Sequence, residues 1–131
     1  MTDRKIKYMT AKEILRLHFQ VVNDFGGRHG VRDVSRIESV IAAPAQEIFG
    51  QDQYPEVCDK AAVYMRNIIG DHPFEDGNKR TGITVAGVFL LRNDLRLTAT
   101  PKELEDFAVR VAVERLGVAE IAAWLRRHSV A

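Results

Sequence analysis

Residues Thr84 to Leu91 are apolar nearly all the way round a helix, and this segment constrains the fold more than any other. A helix without a polar face has to be enclosed on every side, so the chain must supply other helices around it. Gly82 and Gly87 fall in the same helix. Each costs about 1 kcal/mol of helix propensity relative to Ala, so close approach of a neighbouring helix is the expected compensation.

The enclosing helices are legible from their punctuation. Thr10-Ala11-Lys12-Glu13 fits a capping box, followed by Ile14, Leu17, Val21 and Phe25 on one face, with Leu15, His18 and Val22 broadening it. Gly26-Gly27 ends that helix. Ser35-Arg36-Ile37-Glu38 reads as a second capping box for a helix from Val34 to Ala43, stopped by Pro44. A connecting loop, with an extended piece near Glu47 to Phe49, leads to a third helix after Pro55 with Val57, Cys58, Ala61, Ala62, Met65, Ile68 and Ile69 as its stripe. The enclosed helix runs from Asn78 or Lys79 to about Arg92, and Leu95 to Thr98 alternates like a stub of strand. Thr100-Pro101-Lys102-Glu103 starts a fifth helix bearing Phe107, Val111 and Leu116, which Gly117 breaks. A sixth runs from Val118 to Arg127 and carries Ile121, Trp124 and Leu125. The expectation is an all-α domain of six helices spanning 1–131.

Composition narrows the functional classes. With 131 residues, 46% of them hydrophobic, one domain can bury roughly two-thirds of its unfolded surface. Nineteen basic against 18 acidic residues leave a net charge of +1, which argues against a dedicated nucleic-acid binder and against an acidic disordered chain. Cys58 is the only cysteine, so neither an intrachain disulfide nor a Cys-rich zinc site can form, and a reducing, cytoplasmic setting is expected. Ile83 to Leu91, the longest mostly apolar run, is too short to span a bilayer.

Chemistry concentrates between the third and fourth helices. His72-Pro73-Phe74-Glu75-Asp76-Gly77-Asn78-Lys79-Arg80-Thr81-Gly82 gathers an imidazole, two carboxylates, two cations and two glycines at the start of the enclosed helix. Free N–H groups and the positive dipole end favour an anion there, Arg80 can grip a phosphate bidentately, and Gly77 lets a ligand approach the backbone. Lys79 and Arg80 sit unfavourably against the dipole unless an anion joins them. Asp76 can hold Mg²⁺ jointly with phosphate oxygens. His72, kept out of the helix by Pro73, can deprotonate a hydroxyl near neutral pH.

The run His72 to Thr81 resembles the signature of the Fic/Doc (Fido) superfamily, in its death-on-curing toxin branch. The likeness extends to Leu17-His18, Phe25-Gly26-Gly27, Gly30-Val31-Arg32-Asp33, Ala61-Ala62, Phe89-Leu90 and Arg92-Asn93. It implies a compact six-helix fold and ATP-dependent modification of a protein hydroxyl. Most Fic enzymes transfer AMP; their motif has Gly at the place of Lys79 and a second Arg at the place of Ile83. Both departures point to the death-on-curing branch, which moves the terminal phosphate of ATP to a threonine of elongation factor Tu and stalls translation. A lysine in place of that glycine crowds the anion hole and adds charge, so the nucleotide can present its γ-phosphate instead of its α-phosphate.

The resemblance makes His72 the general base and Asp76 the Mg²⁺ carboxylate, with Gly77, Asn78, Lys79 and Arg80 holding phosphates. Phe74 is expected to anchor the loop in the core, and Glu75 occupies a variable slot with no assigned role. The Ser/Thr-x-x-x-Glu inhibitory pattern of some Fic proteins is absent. Inhibition is therefore expected from a separate antitoxin, whose C-terminal segment folds into a groove on the toxin. AMP transfer and an inactive binding module on the same fold are the alternatives.

Overall fold

A computed structural model describes residues 5–131. Its helices are α1 (Ala11–Phe25), α2 (Val34–Ala42), α3 (Val57–Asp71), α4 (Asn78–Arg92), α5 (Pro101–Glu114) and α6 (Val118–Arg127). A 3₁₀ turn, Ala43–Ala45, extends α2. Two small antiparallel pairs complete the chain: β1 (Glu47–Ile48) with β2 (Gln51–Asp52), and β3 (Arg96–Leu97) with β4 (Ser129–Val130). The six helices expected from the punctuation are present, and the strands are accessories.

Helix α4 lies among α3, α5 and α1, with its most extensive packing on α3. Val85, Ala86, Phe89 and Leu90 are buried, although Leu91 is 63% exposed, so enclosure is incomplete at the last turn. The two glycines of α4 differ. A Cβ on Gly82 would come within 2.8 Å of Ile69 Cγ1 and 3.3 Å of the Met65 carbonyl, so this position sets the closeness of α3 and α4. A Cβ on Gly87 would meet only Leu97, at an ordinary 3.5 Å.

Capping explains most boundaries. Thr10 and Thr100 each accept from the N3 backbone while Glu13 and Glu103 reach back to the cap N–H. The start of α2 differs from expectation: Asp33, not Ser35, is its cap, accepting the Ser35 N–H at 2.9 Å. Pro44 does not stop the chain's winding, because the first turn of a 3₁₀ helix needs no N–H from it. Gly117 caps the start of α6, while α5 ends on Arg115 in the left-handed region.

Lys60 and Tyr64 carry polar groups deep into the core. Lys60 is wholly buried on α3, donating to the Pro44 carbonyl at 3.0 Å and facing Asp52 of β2 at 3.5 Å. Tyr64 Oη accepts the Met9 N–H at 3.0 Å, and burial pushes its hydroxyl up to about 12. Phe25 does not join the core as its helical spacing suggested; it is 60% exposed and lies beneath Arg80.

Candidate active site

The loop from His72 to Gly77 is held from three sides. Phe74 is wholly buried, and its ring stacks on His18 of α1 with centroids 3.7 Å apart and planes 5° from parallel. His18 Nε2 donates to the Asp76 carbonyl at 2.8 Å. Burial is the main cause holding the His18 imidazole below its usual range. The segment after α1 pairs with the loop: Pro73 O accepts from Arg32 N at 2.8 Å, and Gly30 O accepts from Glu75 N at 3.1 Å. Gly27, at φ +115, allows this approach, since a Cβ there would meet Asp76 Cβ at 3.2 Å.

His72 ends α3 in the left-handed conformation, φ 50 and ψ 60, which a non-glycine residue adopts at a cost of roughly 1 kcal/mol. Pro73 explains why it leaves the α region. The imidazole is exposed and lines a cavity of about 340 Å³ with Arg66, Asp71, Val111, Arg115 and Leu116 among its neighbours.

Gly77 starts α4 in the left-handed region, φ 79, and no side chain caps the helix. No side chain satisfies the first N–H groups of α4, whereas Thr10 and Thr100 each cap one at the starts of α1 and α5. No acidic residue stands in the first turn; Lys79 and Arg80 do. The Lys79 side chain is exposed. Arg80 Nη1 sits 2.7 Å from Glu105 Oε1 of α5, and its guanidinium lies 3.9 Å from the centre of the Phe25 ring. Both cations line a smaller cavity with Ile83, Glu105, Ala108 and Val109.

Asn78 differs from the phosphate-gripping side chain expected of it. It is 8% exposed, its Oδ1 accepts the Phe74 N–H at 3.1 Å, and its Nδ2 donates to the Phe74 carbonyl at 3.0 Å. The amide closes the loop, which leaves only the Asn78 main-chain N–H for an anion.

The Asp76 carboxylate turns toward the segment after α1. Its Oδ2 accepts the Arg28 N–H at 2.8 Å and lies 3.6 Å from Arg28 Nε, while Arg28 Nη2 lies 3.6 Å from Glu75 Oε2. A divalent cation fits here on one carboxylate, with water and phosphate oxygens completing its shell. Among the described residues no group of three His, Cys, Asp or Glu side chains could enclose a metal. A half-exposed single carboxylate suits Mg²⁺, which keeps most of its water and shares phosphate oxygens.

The loop thus turns its imidazole, cations and carboxylate outward around one helix start, though not into a single cavity. His72 faces the end of α3, Lys79 and Arg80 face α5, and Asp76 faces the segment after α1. Two participants carry no sequence signal. Arg28 follows a glycine pair that marks a turn without saying what the turn meets, and Glu105 lies on the polar face of α5 like any solvated acid.

A helical fold with this loop at the head of its enclosed helix is the arrangement of the Fic/DOC family, whose pattern matches residues 8–90, and the chain belongs to that family. It is 35% identical over 109 residues to Toxin Doc of Mycolicibacterium smegmatis, covering 82% of this chain and 84% of that one. It is 30% identical over 122 residues to the Protein kinase doc of Escherichia phage P1, covering 93% and 95%.

Proposed function

We propose that this protein is the toxin of a toxin–antitoxin pair, acting in the cytoplasm as an Mg²⁺-dependent protein kinase. It moves the terminal phosphate of ATP to a hydroxyl, a threonine of a translation factor such as elongation factor Tu, and so halts translation. The observation that carries this reading is the helix start at Gly77: uncapped, free of acid and headed by Lys79 and Arg80. Cations in that position oppose the helix dipole unless an anion completes them. The names of the two relatives support both halves of the proposal.

The N–H groups at the head of α4 and the side chains of Lys79 and Arg80 bind the phosphate chain. Arg80 must loosen its pair with Glu105 to do so. Asp76 holds Mg²⁺, which supplies charge neutralisation at the phosphate when bound. His72 accepts the proton of the target hydroxyl as that oxygen bonds to the γ-phosphorus and ADP departs. Its exposure and its fixed left-handed backbone suit a base that meets a protein substrate.

The antitoxin segment has a natural seat where Ile83, Val109 and the Phe25–Arg80 pair lie between α1, α4 and α5. An amphipathic helix laid there would cover Phe25 and Val109 and block access to Lys79 and Arg80.

Expression in a bacterial host tests the reading. Growth arrest is expected, relieved equally by His72→Ala and by co-expression of the neighbouring antitoxin. Arrest undiminished by His72→Ala would remove His72 as base, and an intact-mass increment of AMP on the target would replace phosphate transfer with AMP transfer.

A further inference from the structure

Two of the charges expected to receive ligand, Asp76 and Arg80, already have partners supplied from outside the loop. Asp76 is met by Arg28, which reaches both loop carboxylates at 3.6 Å. Arg80 is met by Glu105 at 2.7 Å. We propose that Arg28 and Glu105 are stand-in counter-ions for the metal and the phosphate, and that they set the site's preference for the metal–nucleotide complex over either component alone. The inference rests on the kinase reading above, since it takes Asp76 as the metal carboxylate and Arg80 as a phosphate residue.

The geometry separates orientation from competition at Asp76. The Arg28 main-chain N–H, at 2.8 Å, orients the carboxylate and persists whatever side chain stands at 28. The guanidinium only adds positive charge, and positive charge repels a cation approaching the same oxygens. At Arg80 the logic inverts: Glu105 occupies the guanidinium fork and repels a phosphate. Exposed ion pairs are weak, so a charged ligand can displace either one. A free metal ion displaces Arg28 while the phosphate side stays closed, and a free nucleotide faces Glu105 without metal at Asp76. The complex replaces both partners at once, metal for Arg28 and phosphate for Glu105.

Direct binding measurements on the whole chain test this without reference to turnover. Mn²⁺ is titrated into the nucleotide-free protein and the free ion is followed by electron paramagnetic resonance. Arg28→Ala and Arg28→Gln are expected to bind about fivefold tighter than the parent, the size of a contact between like charges near water. Adding Asp76→Asn to either variant should abolish the gain. Equal or weaker binding by both Arg28 variants overturns the role of Arg28 and leaves Asp76 as the metal carboxylate. No Mn²⁺ binding by parent or variants overturns the Asp76 assignment together with the inference. In the second arm, ATP is titrated in the presence of chelator. Glu105→Gln should bind at least about threefold tighter, and the gain should vanish with Arg80→Ala. Unchanged or weaker ATP binding by Glu105→Gln overturns the role of Glu105.

Discussion

At the residue scale, the motif divides into side chains that build the loop and side chains that stand exposed beside it. Phe74 and Asn78 belong to the first group, and His72 and Lys79 to the second. This division predicts opposite outcomes for two neighbouring substitutions. Asn78→Ala leaves the Phe74 N–H and carbonyl without their buried partners, so it should cost about 1–3 kcal/mol of stability in chemical denaturation and reduce activity through loop disorder. His72→Ala removes an exposed side chain and should abolish transfer with stability changed by no more than about 0.5 kcal/mol. The sequence made His72, Asp76 and Lys79 stand out as candidates because their residue types and order suit phosphate chemistry. The Asn78 amide folds back onto its own loop, an arrangement that spacing cannot distinguish from an amide turned to a ligand. Arg28 was invisible for another reason: its meeting with Asp76 depends on two segments 48 positions apart.

At the element scale, the two glycines of α4 separate propensity from packing. Gly87→Ala adds a methyl at ordinary contact distance from Leu97 and should stabilise the protein by about 0.5–1 kcal/mol through helix propensity. Gly82→Ala forces a methyl against Ile69 Cγ1 and the Met65 carbonyl, so destabilisation by about 1–3 kcal/mol should outweigh the same propensity gain. Thermal or urea melts of both variants check the opposite signs. Both glycines read alike in sequence, and only the approach of α3 tells them apart. Helix starts were legible where a Thr or Pro placed a cap, as at Thr10 and Thr100. The second helix was read less well, since Asp33 and Ser35 are both competent caps and the backbone selects between them. The wholly buried Lys60 breaks the apolar pattern of α3, and only the arrival of Pro44 and Asp52 accounts for it.

At the scale of the whole molecule, a few long-range polar ties hold the helices around the loop. Glu13 at the start of α1 pairs with Arg92 at the end of α4 through both carboxylate oxygens. Arg92 is the chief cause that lowers the Glu13 carboxyl from its ordinary 4.5 to about 2. A carboxyl whose pKa falls on folding stabilises the protein above its unfolded value and loses that contribution as pH drops through the folded one. Thermal stability should therefore decline between pH 4.5 and 2, and Glu13→Gln should flatten that part of the profile. No helix among the described residues is long and apolar enough to cross a membrane, and the six-helix bundle holds the head of α4 beside the loop. In the proposed reaction this helix head, with Lys79 in its first turn, delivers the terminal phosphate of ATP. Its most direct test is transfer of label to elongation factor Tu from ATP labelled at either the α or the γ position, with Mg²⁺ present and His72→Ala as control. Label arriving from γ-labelled ATP alone, and only with His72 in place, is the predicted result; label arriving from α-labelled ATP would contradict it.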